Sequence, residues 1–427
     1  MKKGFFCRLV VILTVLSVML QPFYVRAGTL DQIRSIAKSV LSGEPEEVEE
    51  LRQMEVAQSE EGHQEYYFKQ LNEEEQRVYR ELLKGIRARE KDFYLTLSQD
   101  DSIDRCYHAV LKDHPEIFWA TSFKYKFFKG SPNYIFIPEY IFEKNKIREH
   151  QKALKARVDK LARPAKNFSD IEKEKYVHDF ICENVRYDKL KKAYSHEIIG
   201  PLGQGVGVCE GIAKSVKILC DALNLWCIIA ICGNNPEKGI KYRHTWNIIR
   251  LDGKYYHLDA TFDNSLGRSG SGKPEIRYDY FNLDDKAVFR DHEPLIAPAP
   301  ACTDNSRFYY KEKKLSFTKT EEVYKRFLQA AKKGKTLTFH WRGGYLTREV
   351  LEELLDLMQQ AGAVKNKTAV VGLNWAQAVL RLHYVESAEA GDENAEAANG
   401  AIGKETHKAK IDVTMEDANE GEQIETD

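Results

Sequence analysis

No C-x-x-C pair, glycine-rich phosphate loop, calcium-loop pattern or metalloprotease motif occurs in these 427 residues, and no segment repeats itself. The missing pairs exclude a structural zinc site of the usual spacing. Without the loops there is no motif for a nucleotide or a bound cation, so no metal and no cofactor is expected. Charge of one sign is scarce too: 64 Lys and Arg stand against 65 Asp and Glu, a net charge of −1. That balance hides an asymmetry, because residues 386–427 hold 13 acidic and 3 basic side chains and residues 28–385 carry a surplus of +5. Over so long a body the surplus is too small to argue for nucleic-acid binding. The longest apolar run, LVVILTVLSVML, has 12 residues, where a membrane span needs about 20.

That run fits an export signal. Lys2, Lys3 and Arg8 precede it, and Val25-Arg26-Ala27 offers small residues where a signal peptidase reads, which predicts a signal peptide over residues 1–27 cleaved before Gly28. The expected mature protein is secreted or extracytoplasmic, the cell surface included, with no stable membrane insertion. Cys7 lacks the small-residue pattern of a lipoprotein signal. Its removal leaves seven of eight cysteines, an odd number that permits at most three disulfides. A chain of this length can bury its core without them.

One of those cysteines has surroundings that suggest chemistry. From Ile212 the apolar residues fall at Ile212, Val216, Leu219, Cys220 and Leu223, the spacing of one helical face, so Cys209 stands where a helix begins. A helix N-terminus favours thiolate over thiol, and the thiolate is the nucleophile. Downstream, Asp252-Gly253 between HTWNIIRL and KYYHLDATF is a two-residue hairpin signal that pairs Leu251 with Lys254. In that register His244 lies opposite Thr261 and Asp259 opposite Trp246, with His244 and Asp259 as diagonal neighbours on one face. An imidazole held by a carboxylate is what a general base needs. His257 on the same face is a rival base, read as a satisfied core histidine. Asp263 rivals Asp259 but opens the turn-like DNSLGRSGSG, whereas Asp259 reads as part of the strand. Cys106, Cys182, Cys220, Cys227 and Cys232 read as small buried hydrophobes, His178 as structural, and Trp246 as core or cleft wall.

The order Cys, His, Asp, with HTWN around His244 and YYHLDATFD around Asp259, resembles the bacterial transglutaminase-like superfamily, relatives of the papain-like cysteine proteases. EKYVHDFICENVRYD upstream and YDYFNLDDKAVFRDH downstream extend the resemblance from about Lys166 to His292, and DHPEIFW resembles a segment found ahead of such domains. The resemblance implies an α+β fold with a papain-like core, a Cys-bearing helix against an antiparallel sheet. It also implies acyl transfer, with Cys209 as nucleophile, His244 as general base and acid, and Asp259 orienting the imidazole. Gln204 is the side-chain candidate for the oxyanion, beside the backbone N–H of Cys209.

Around that core the chain is expected to hold an N-terminal mixed helix and strand region over 28–165, the transglutaminase-like domain over 166–300, a small α/β accessory domain over 303–385, and an acidic disordered tail over 386–427. Asn72 with Glu75, and Ser169 with Glu172, mark helix starts. Val78, Tyr79, Leu82, Leu83 and Ile86 should face inward from the first, and Val177, Phe180 and Ile181 from the second. PNYIFIPEYIF, with its prolines, reads as an edge strand. Two classes of function follow. One is an exported cysteine enzyme acting on peptide or side-chain amides, hydrolytic or, with an amine acceptor, a protein-glutamine transglutaminase; its substrates would be proteins or peptides, cell-wall and surface proteins among them. The other is a non-catalytic module that binds a peptide or wall component in the same cleft.

Overall fold

A computed structural model describes residues 65–97, 101–127, 131–238, 240, 243–268, 275–342, 346–386 and 412–415. The predicted signal peptide and most of the predicted acidic tail lie outside them. The described chain divides into two compact units, one reaching Asp159 and including Glu197–Ile199, the other formed by Lys160–His196 and the chain from Gly200 onward.

In the first unit, helix α1 (Glu73–Ala88) starts at Asn72, whose side chain accepts from the Glu75 N–H while the Glu75 carboxylate accepts from the Asn72 N–H. The five predicted apolar residues of α1 are all buried. Strand β1 (Phe93–Thr96), helix α2 (Asp101–Asp113) and strands β2 (Ala120–Phe127) and β3 (Asn133–Tyr140) follow, and then helix α3 (Lys144–Ala162). The sheet order is β1-β3-β2, so the predicted edge strand is the central one. Its proline is tolerated because β1 pairs only with Asn133 to Phe136. Pro138 lies beyond that end, where β2 is the sole neighbour in the sheet.

The second unit opens with α4 (Asp170–Asn184), capped by the Ser169 and Glu172 box. Its buried face is Glu174, Val177, His178, Ile181 and Cys182, with Phe180 only half-buried. The apolar pattern missed that two polar side chains, Glu174 and His178, occupy the inward stripe. Strands β4 (Arg186–Tyr187) and β5 (Val206–Gly207) form a short parallel pair ahead of α5 (Cys209–Ala222). Helix α5 packs on an antiparallel sheet of β6 (Cys227–Ile231), β7 (Thr245–Leu251), β8 (Lys254–Leu258) and β9 (Phe281–Leu283), in that order. The β7–β8 turn is the predicted one: Asp252 and Gly253 both have positive φ, 50° and 77°, and Leu251 pairs with Lys254. The ladder closes at Asn247 and Leu258. Asp259 is therefore not in the strand, and residues Ala260–Arg268 form helix α6 where a turn was expected from Asp263. Mixed helices and antiparallel strands of this kind fit the expected α+β class.

Two short helices, α7 (Asp285–Val288) and α8 (Tyr309–Glu312), lead to a five-stranded mixed sheet. It comprises β10 (Ser316–Phe317), β11 (Leu337–Trp341), β12 (Lys367–Asn374), β13 (Val379–Glu386) and β14 (Asp412–Met415), ordered β10-β11-β13-β12-β14. Helices α9 (Thr320–Lys333) and α10 (Arg348–Ala363) bury Val323, Phe327, Leu354 and Met358 against it. Strand β14 falls inside the predicted disordered tail. Val413 and Thr414 are β-branched strand formers in an otherwise acidic stretch.

Candidate active site

Cys209 is the first residue of α5 and is buried, 9% exposed. The N-cap is Val208, whose side chain cannot accept from the first turn, and its N–H donates to the Ser195 carbonyl at 3.0 Å. The 14-residue helix thus directs its positive end at the segment bearing the thiol. Gly211 lets this turn approach that close: a Cβ there would stand 2.2 Å from the Ser195 oxygen.

His244 precedes β7 and is buried, and its Nε2 lies 2.6 Å from Asp259 Oδ2. The two meet although they are not paired in the ladder, because the chain leaves β8 at Leu258 and turns into α6. Asp259 caps that helix, its Oδ1 accepting from the N–H groups of Thr261 (2.8 Å) and Phe262 (3.0 Å), and its own N–H donates to Tyr280 O at 3.0 Å. Burial alone would raise the Asp259 pKa. The charge of His244 and the hydrogen bonds of His244 and His292 outweigh it and hold the carboxyl far below the usual range.

The other named residues sort by their partners. Trp246 is buried (1% exposed), stacks on the His244 ring with centroids 5.7 Å apart, and donates its indole N–H to His257 Nδ1 at 2.9 Å. It backs the imidazole from the core and is not an exposed cleft wall. His257 has its second nitrogen on Asp285 Oδ1 at 2.8 Å; burial lowers its pKa, as suits a neutral core histidine. Asp263 is spent on His178 Nε2 (3.1 Å) and on the N–H groups of Asp279 (2.7 Å) and Tyr280 (3.1 Å), which removes it as a rival to Asp259. Gln204 is exposed at the end of the π-helical turn Ile199–Gln204. The seven cysteines of the described residues are all reduced and buried.

Two contributors escaped the sequence. Asn247, the last letter of HTWN, donates to Ala213 O of α5 (3.0 Å) and Ile228 O of β6 (3.2 Å), fixing the strand that follows His244 against the helix that carries Cys209. The other is His292, whose Nε2 reaches the same Asp259 Oδ2 at 2.9 Å and whose Nδ1 lies 2.8 Å from Asp291 Oδ1. The nitrogens of His244 and His292 and the Asp259 oxygen lie within 4.8 Å of one another, as do donors of His257, Asp285 and Cys302. Against the expectation of no metal, such spacing could span a cation; the hydrogen bonding opposes it. His257 Nδ1 accepts from an indole, so Nε2 keeps its proton. Both His292 nitrogens face carboxylate oxygens, which makes each a donor.

Residues 155–260 match the sequence model of the transglutaminase-like superfamily, so the chain carries a transglutaminase-like domain that includes Cys209, His244 and Asp259. No curated protein sequence matches it. A solved structure described as "Crystal structure of a TGase" is similar at 12% identity and a TM-score of 0.21, over 44% of this chain and 54% of that one. The chain spans about half the length of that structure.

Proposed function

We propose that the protein is a cysteine acyl-transfer enzyme in which Cys209, His244 and Asp259 form the catalytic triad. The observation that carries the reading is the buried 2.6 Å contact of His244 Nε2 with Asp259 Oδ2, in a transglutaminase-like domain whose central helix starts at a cysteine. With Nε2 committed to the carboxylate, proton exchange with the thiol falls to Nδ1. The thiol gives its proton to His244 and the thiolate attacks the amide carbon. As the C–N bond breaks, the amine leaves with the proton from His244, and a thioester remains. Water, giving its proton to the same imidazole, then releases the acid and restores the thiol. The Cys209 N–H and the Gln204 amide are the proposed oxyanion donors.

Hydrolysis is favoured over transamidation because it needs no second substrate site. The working substrates are peptides or proteins outside the cytoplasm, cell-wall and surface proteins among them, in line with the signal-like N-terminus. Intact mass spectrometry of acid-quenched protein during turnover of an activated ester should show an acyl adduct on Cys209, absent in Cys209→Ala. Transfer of the acyl group to an added diamine with saturation kinetics, in preference to water, would make the protein a transglutaminase. Turnover or a persistent adduct in Cys209→Ala would place the nucleophile elsewhere, and a wild-type protein with neither adduct nor turnover would leave the non-catalytic binding module as the better reading.

A further inference from the structure

His292 lies 32 residues beyond the stretch that the family model matches and enters no step of the mechanism above. It is fully buried beside the Asp259 carboxylate that the mechanism does use. Asp259 Oδ2 takes His244 on one side and His292 on the other, while Oδ1 is held by two backbone N–H groups. Both oxygens are thereby fixed. Behind His292 stands Asp291, whose Oδ2 accepts from the Tyr280 hydroxyl at 2.5 Å and whose Oδ1 takes the Gln377 amide at 3.3 Å. Gln377 sits in the turn between β12 and β13. It also donates to the Ala287 carbonyl (3.2 Å), and its own N–H bonds the Asn374 side chain (3.3 Å). Asn374 in turn donates to Asp279 Oδ2 at 3.1 Å.

We propose that His292 is a positioning residue of the active site: an imidazolium held between Asp291 and Asp259, it fixes the carboxylate that orients His244, and the β12–β13 turn anchors it through Gln377 and Asp291. The proposal rests on the functional reading given above. It makes the C-terminal sheet part of the catalytic scaffold, where the sequence suggested an accessory domain. The charged and titratable groups around His292 are Asp259, Asp291, Tyr280, His244 and His257. Burial would strip the proton from His292, but the hydrogen bonds that its ring donates to the Asp259 and Asp291 carboxylates reverse that and raise its pKa. A fixed cation here also shares the negative charge of Asp259, so His244 feels less of it and holds its own proton less tightly.

The test is NMR titration of the histidine ring resonances in ¹³C-histidine-labelled full-length protein, with the rate of Cys209 alkylation by iodoacetamide followed over the same pH range. In the wild type the His292 resonance should stay in its protonated position through pH 7. In His292→Gln, which keeps an N–H for Asp259 and loses the charge, the His244 midpoint should rise by about one pH unit, a tenfold tighter proton. Gln377→Ala leaves every ionisable group in place and should slow alkylation several-fold with its midpoint unmoved. A His292 that titrates near 6.5, or a His244 midpoint unchanged in a folded His292→Gln, overturns the proposal. An unchanged rate in Gln377→Ala overturns the anchoring by the turn. The ring titrations read His292 even if Cys209 proves unreactive, an outcome that would sink the functional reading instead.

Discussion

At the residue scale the site is decided by which partner each histidine already has. Three buried imidazoles crowd the β7–β8 hairpin, and His244 is the one that follows the Cys-bearing helix in the matched domain with its Nε2 on Asp259. His257 is occupied at both nitrogens by Trp246 and Asp285, and His292 at both by acids. His244→Ala should therefore abolish acyl-enzyme formation. His257→Phe should cost stability, about 1–3 kcal/mol for its lost buried hydrogen bonds, yet keep turnover per folded molecule within about threefold of wild type. Thermal melts paired with active-site titration separate the two effects, and loss of turnover in a well-folded His257→Phe would assign the base wrongly. For Gln204, removal of an oxyanion donor should lower kcat by about 10²–10³. A drop of less than threefold in Gln204→Ala would take it out of the site.

At the element scale the hairpin and the helix start were legible because each has a local cause. Asp252-Gly253 supplies two positive-φ residues for the tight turn, and the 3.6-residue apolar spacing after Cys209 places the helix. The register followed from the turn, so His244 and Asp259 could be brought together by counting. Their actual meeting has another cause. Strand pairing stops at Leu258, and Asp259 reaches His244 as a helix cap, a role that a period-two pattern cannot show. The Asn247 clamp and His292 were illegible for a related reason: both depend on neighbours far along the chain, and single polar residues leave no periodic signal. The central place of β3 was hidden likewise, since sheet order is set by pairing. The close approach at Gly211 gives a prediction at this scale. A Cβ 2.2 Å from the Ser195 carbonyl must push the first turn of α5 away from the backbone it rests on. Gly211→Ala should lose roughly 1–3 kcal/mol by overpacking and slow Cys209 alkylation. A melting temperature and rate equal to wild type would mean that the contact is not needed.

At the scale of the whole molecule, the transglutaminase-like domain and the C-terminal sheet belong to one compact unit, joined by Asn374, Gln377 and the Arg381–Glu275 ion pair at 2.6 Å. That unit also buries an acid that should govern its stability. Glu174 on α4 is fully buried, with one hydrogen bond from Asn282 at 3.0 Å, and burial raises its pKa to about 8. The folded protein thus holds a proton that the unfolded chain releases near pH 4.5. Stability from this group is complete below pH 4.5 and declines as pH rises toward 8. Glu174→Gln should remove that decline and exceed wild type above pH 8 by roughly 2–4 kcal/mol, which urea unfolding at pH 5 and pH 9 would measure. Equal pH dependence in the two proteins would show that Glu174 is ionised in the fold. The central claim, that Cys209 is a nucleophile assembled with His244 and Asp259, is tested most directly by the rate of iodoacetamide alkylation against pH, with Cys209→Ala as control and mass spectrometry locating the label. Rapid labelling of Cys209 with an apparent pKa well below the roughly 8.5 of a free thiol, lost or shifted in His244→Ala, is the predicted result. Slow labelling that follows an ordinary thiol and ignores His244 would contradict it.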